Sequence, residues 1–170
     1  MTDPERLAVL LGLEPLPREG GRFRRTFADA HSSAIHYLLV APEFSALHRL
    51  TSAELYHWHA GSPLLLLLLH PDPAPSVHPG RSEHDGVHAR ATGGRLEEVV
   101  LGPDVEAGQR PQVAVPAGTW QGSSPDGAWT LVSTTVAPPF DWAMFTLGDR
   151  ATLTAAYPAA EARISELTRT

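Results

Sequence analysis

From residue 22 to residue 136 the chain runs in short apolar stretches broken by Gly, Pro, Asp and Ser. That rhythm predicts strands over 22–28, 33–40, 46–51, 54–60, 64–70, 96–101, 112–116, 119–122 and 129–136. No long helical pattern separates them, which argues against a parallel α/β sheet, and an all-β domain is expected. Closure into a small double-sheet barrel leaves few free edges and provides an enclosed mouth. The ends read differently. Thr2 or Asp3 can cap a short helix that Pro4 begins, with Leu7, Leu10 and Leu11 on one face and Pro15 and Pro17 beyond its end. From about Asp149 the spacing of Ala162, Ile164 and Leu167 is helical and predicts packing outside the barrel.

Six consecutive leucines, Leu64 to Leu69, form the one extended apolar block. A bilayer-spanning helix needs about 20 apolar residues, so the block reads as a buried strand. The acidic start, Thr2-Asp3-Pro4-Glu5, lacks the charged-then-apolar order of a signal peptide. A cytoplasmic protein with no membrane partner is the expectation. Between Pro71 and Gly94 the chain turns rich in Pro, Gly, Asp, Ser and His, which reads as an inserted loop within one domain over 1–170. His84 and His88 have a spacing that chelates metal on a helix, but Gly80, Asp85 and Gly86 oppose a helix there. A solvated loop carrying His78, His84 and His88 is the reading.

Composition narrows the chemistry. All 13 basic residues are Arg, and there is neither Lys nor Cys. Schiff-base catalysis, thiol nucleophiles, thiolate metal sites and disulfides are therefore excluded. The net charge of −6 argues against a nucleic-acid partner, which selects a basic face.

Two stretches carry the candidate site. They are His48-Arg49-Leu50-Thr51-Ser52-Ala53-Glu54, running on to Gly61, and Pro116-Ala117-Gly118-Thr119-Trp120-Gln121. Their spacing resembles the two cupin signatures: His-x-His, three or four residues, Glu, six residues, Gly; and Pro-x-Gly-x-x-His. Two ligand positions differ, with Leu50 in place of the second His and Gln121 in place of the last. Glu19-Gly20-Gly21, Gly108-Gln109-Arg110-Pro111-Gln112-Val113 and Leu147-Gly148-Asp149-Arg150 extend the resemblance to a single-domain cupin family of unknown function. It implies a jelly-roll barrel (a double-stranded β-helix) with short terminal helices, a pocket at the wide end, and a homodimer. The fold is shared with dTDP-sugar 3,5-epimerases. Arg22 and Arg25 stand where this family tends to carry an aromatic residue and a glutamate, and His36 and His59 where tyrosines are usual.

Strand alternation then sorts the side chains. By analogy with cupins, His48, Leu50, Glu54, Tyr56 and Trp58 point inward, joined by Thr119 and Gln121, with Val132 or Thr134 on the floor. His57 and His59 face outward. The expected catalytic set is His48, Glu54 and Tyr56: an imidazole held by a carboxylate as acid or base, opposed by a phenol. Leu50, Trp58, Thr119, Gln121 and Asp141 are the expected ligand-binding residues. Trp120, Trp129 and Trp142 read as core or interface residues. No cofactor is expected; if a divalent ion binds at all, His48, Glu54 and Gln121 hold it weakly. The function that follows is metal-independent isomerase, epimerase or lyase chemistry on a small polar or sugar-like molecule. A ligand-binding protein without turnover and a metal-dependent, dioxygenase-type cupin are the alternatives.

Overall fold

The computed structural model describes residues 3–71, 90–91 and 94–169; most of the expected inserted loop lies outside the described residues. Two antiparallel sheets of six strands each form the body. The first runs β1 (Glu14–Pro15), β2 (Arg22–Ala28), β3 (Ser33–Val40), β11 (Trp129–Val136), β5 (Glu54–Gly61), β9 (Gln112–Val115). The second runs β12 (Phe145–Leu147), β4 (Ser45–Leu50), β10 (Trp120–Pro125), β6 (Leu64–Pro71), β8 (Gly94–Leu101), β7 (Arg90–Ala91). This is a jelly roll, with short helices at both ends as expected.

The leucine run explains how one strand serves two cores. On β6, Leu64, Leu66 and Leu68 point between the sheets and meet Tyr37, Leu39, Tyr56, Val99, Val113 and Val132. Leu67 and Leu69 point the other way, onto Leu153, Tyr157, Ile164 and Leu167. A strand buried on both faces needs no alternation of polar residues, hence the unbroken run. The covering residues come from α2 (Arg150–Ala156) and α3 (Glu161–Glu166). Asp149 caps α2 by accepting from the Thr152 amide at 2.9 Å, and Pro158 divides what the spacing had merged into one stretch.

At the other end α1 (Pro4–Leu11) starts at Asp3, whose carboxylate accepts from the Glu5 amide at 3.0 Å, and stops at left-handed Gly12. Its buried contact is Ala8, against Leu38 and Leu131 on the outside of the first sheet, flanked by Leu7 and Leu11. Leu10, expected on that face, is 70 % exposed. The small Ala8 lets the helix approach closely and turns Leu10 to solvent. No helix among the described residues is long and apolar enough to cross a membrane.

Candidate functional site

Where the two sheets part, a cavity of about 90 Å³ opens between β2, β3 and β11 on one side and β4 and β12 on the other. His48, Leu50 and Glu54 line it, as expected from the motif, together with Thr134 and Val136. Pairing explains the convergence. Gln121 of β10 lies opposite His48 of β4, and Phe145 of β12 lies opposite Leu50.

His48 is 2 % exposed, and its Nδ1 sits 2.7 Å from the Ala46 carbonyl oxygen. A carbonyl only accepts, so Nδ1 carries the proton and, in the neutral ring, Nε2 keeps its lone pair. The ring stacks on Phe145 with centroids 5.0 Å apart. Nε2 is 4.0 Å from Oε2 of Glu19, whose other oxygen accepts from the Ser45 hydroxyl at 2.7 Å.

Glu54 is buried and accepts from Gln121 Nε2 at 2.8 Å. Burial pushes its pKa up. The charge that His48 carries when protonated opposes that, Glu19 adds to it, and hydrogen bonds from Thr134 and Gln121 oppose it. The site thus holds two carboxylates, Glu54 with its pKa raised by burial, around one tautomer-fixed imidazole, groups able to give and take a proton within one pocket.

The sign of this shift has a consequence for stability. A carboxyl group whose folded pKa exceeds its unfolded one binds protons more tightly when folded. Its contribution is complete below the unfolded pKa and is lost as pH rises through the folded pKa. Glu54→Gln removes that loss while keeping an acceptor for Gln121. The variant is expected to match the parent at pH 4 and to be the more stable of the two at pH 7.5, read from urea melts.

The remaining expected residues lie off the cavity wall, each for a visible reason. Tyr56 sits one pleat deeper on β5, sealed in the inner core; burial and then Glu54 raise its pKa far above the ordinary value. Trp58 packs against the same core and donates Nε1–H to the Ser62 carbonyl at 3.2 Å. Gln121 stands behind Glu54, its Oε1 buried with no partner among the described residues. Thr119 contacts His70 Nδ1 at 3.4 Å, in a second buried group where His70 and Arg95 each lie 3.0 Å from Glu97. Asp141 caps a single 3₁₀ turn, Trp142–Met144, by accepting from the Ala143 amide at 2.7 Å. Asp141 thereby holds the turn that carries Trp142.

Trp142 itself, expected in core or interface, lines the cavity with Phe140 and Phe145. Phe140 and Phe145 meet its ring edge-on at 5.3 and 5.4 Å. Over this aromatic rim lies Arg18, its guanidinium 5.5 Å from the Trp142 ring and 5.1 Å from the Phe145 ring. Arg18 takes a left-handed backbone (φ 68°), as do Gly20 and Gly21, so this turn hands Glu19 to the cavity and Arg18 to the rim. Gly21 is required there, because a Cβ would come within 2.8 Å of Leu39 and Tyr37. Arg25, exposed midway along β2, completes the wall. Glu19 was visible in the sequence only as a member of the resemblance, whereas Arg25 also stood out in the arginine cluster of Arg22, Arg24 and Arg25 as surface or pocket charge.

The residues do not suit a transition-metal ion. Leu50 offers no donor, and the neutral amide oxygen of Gln121 is a far poorer ligand than the imidazole it replaces, which leaves one imidazole nitrogen and one carboxylate of the usual set. Among the described residues no three His, Asp or Glu side chains gather closely enough to hold an ion.

Residues 5–148 match the family model described as "Cupin superfamily (DUF985)". This chain belongs to that cupin family. Solved structures agree. A protein from Shewanella oneidensis is 30 % identical over 99 % of both chains, with a TM-score of 0.82. A hypothetical protein from Leishmania major is 28 % identical over 99 % of this cupin and 100 % of its own chain, with a TM-score of 0.81. A dTDP sugar isomerase from Desulfovibrio desulfuricans shares the fold at 18 % identity and a TM-score of 0.52, over 81 % of this chain and 80 % of its own. Among curated proteins no match is found.

Proposed function

We propose that this cupin binds a small carbonyl compound bearing an acidic group and moves a proton on it without a metal, as an isomerase, epimerase or lyase does. The observation that carries the reading is the Nδ1–H of His48 pinned to the Ala46 carbonyl at 2.7 Å, which leaves Nε2 as a base inside the cavity. His48 Nε2 takes a proton from the carbon next to the carbonyl, and the C–H electrons form an enolate. Glu54, whose buried carboxyl favours the protonated form, gives its proton to the enolate oxygen. Return of a proton to carbon gives isomerisation or epimerisation; elimination follows when a neighbouring hydroxyl leaves as water with the proton held by His48, while the enol O–H returns its proton to Glu54 and the carbonyl re-forms.

Arg25 and Arg18 set the substrate class. Two guanidiniums at the rim of a pocket whose floor is acidic select a molecule with an anionic end outside and a polar, uncharged end inside. Arg25 stands where the family tends to carry Glu, which distinguishes this chain's ligand from that of its relatives. The distant sugar isomerase supports the reaction type by analogy of fold alone.

The test is proton exchange with solvent. The purified protein is incubated in D₂O with small 2-oxo acids, hydroxyketones and sugar phosphates, and deuterium on carbon is read by mass spectrometry. Incorporation that persists in EDTA is expected. Binding without exchange would leave a ligand-holding cupin, and exchange lost to EDTA would return the metal-dependent reading.

A further inference from the structure

A second group of histidines lies on the outer face of the first sheet, away from the cavity. Register sets Ser133 of β11 opposite His36 of β3 and opposite His57 of β5. A shift of register between Leu131 and Val132 leaves His59 without a cross-strand partner, and its ring turns to the same serine. Ser133 Oγ is 2.9 Å from His36 Nδ1 and 2.7 Å from His59 Nε2. The two rings stand edge-on, 6.0 Å between centroids at 89°. His59 is exposed and the other two are half-buried, so solvent reaches the group.

A hydroxyl has one proton, so Ser133 donates to one ring nitrogen and accepts from the other. The result is two imidazole nitrogens from different strands aimed at one oxygen. At a partly exposed position such bonds add little stability. They do, however, hold two imidazole nitrogens, the donors that late first-row divalent ions select, on either side of one hydroxyl oxygen.

We propose that His36 Nδ1, His59 Nε2 and Ser133 Oγ form a surface site for a late first-row divalent ion such as Ni²⁺, Cu²⁺ or Zn²⁺, with water completing the shell. Donors about 2.0–2.2 Å from a tetrahedral ion stand roughly 3.3 Å apart, so the ion replaces both hydrogen bonds and widens each by roughly half an ångström. Ring centroids on such an ion lie roughly 5 Å apart, against 6.0 Å here, a change within reach of side-chain rotation. Because no three His, Asp or Glu side chains gather among the described residues, the third protein donor is the serine. The site is accordingly weaker than a full zinc centre and distinct from the barrel.

Calorimetric titration of untagged full-length protein with nickel chloride tests this, with magnesium chloride as the control. One nickel per chain and no magnesium are expected for the parent and for His48→Ala. His36→Ala and His59→Ala should each weaken nickel at least tenfold, and Ser133→Ala should weaken it less. Imidazole ¹H–¹⁵N spectra of the parent give a readout independent of any variant: the His36 and His59 resonances should shift first on adding nickel. Absence of nickel binding, binding unchanged in His36→Ala or His59→Ala, or loss only when His78, His84 and His88 are replaced by Ala would each overturn the site.

Discussion

Replacing Leu50 with His and Gln121 with His in one chain is expected to tighten zinc binding in the barrel at least about a thousandfold, roughly 4 kcal/mol. Geometry favours the result. Leu50 is two residues from His48 on the same face of β4 and already lines the cavity. Gln121 lies cross-strand from His48 and touches Glu54. The two substitutions therefore add imidazoles beside the existing imidazole and carboxylate, making four donors around one point. The Ala46 carbonyl already fixes the His48 tautomer with Nε2 inward, the outer-shell contact that metal-ligating histidines use. Titrations in a His59→Ala background remove the outer site from the measurement. A parent chain that already binds zinc below micromolar, and loses it on His48→Ala, would contradict the account.

The second large effect concerns the proton transfer. His48→Ala is expected to lower the exchange rate on an accepted substrate by about 10²–10⁴ while leaving its affinity within a few-fold. The imidazole is needed only when the C–H bond breaks, whereas Arg25 and the aromatic rim hold the ligand in both variants. Glu54→Gln should also slow exchange, because an amide has no proton of comparable acidity to give, while raising stability at neutral pH. A stabilising substitution that removes function is the mark of a buried group kept for chemistry. Equal loss of affinity and rate in His48→Ala would make the histidine a binding residue instead.

Much of the fold was readable because each strand carried its own period. All nine expected strands appear within three residues of their predicted ends, and the terminal helices lie against the sheets, although Leu10 and Ala162 of the expected apolar sets face solvent. The pieces that escaped are short. Glu14–Pro15, Arg90–Ala91 and Phe145–Leu147 exist through their pairing partners, and two or three residues hold no period to read. The site was readable to the same depth. His48, Leu50 and Glu54 follow from motif spacing and alternation. Alternation puts Tyr56 and Gln121 inward correctly, but it does not say how far from the mouth they sit. Asp141 caps the 3₁₀ turn, a role the sequence does not separate from ligand binding because both use the same carboxylate. Glu19, Arg18 and Trp142 reach the cavity through a left-handed turn and a 3₁₀ turn, neither of which leaves a hydrophobic pattern.

The central claim is that the cavity behind Arg25 and His48 holds a small molecule with an anionic end. Thermal melts of the parent and of Arg25→Ser against a panel of 2-oxo acids, hydroxy acids, sugar phosphates and their uncharged analogues test it most directly. The account predicts that at least one anionic member raises the parent's melting temperature, that its uncharged analogue does so far less, and that Arg25→Ser loses most of the shift. A panel in which no member stabilises the parent, or in which the hits stabilise Arg25→Ser equally well, would contradict it.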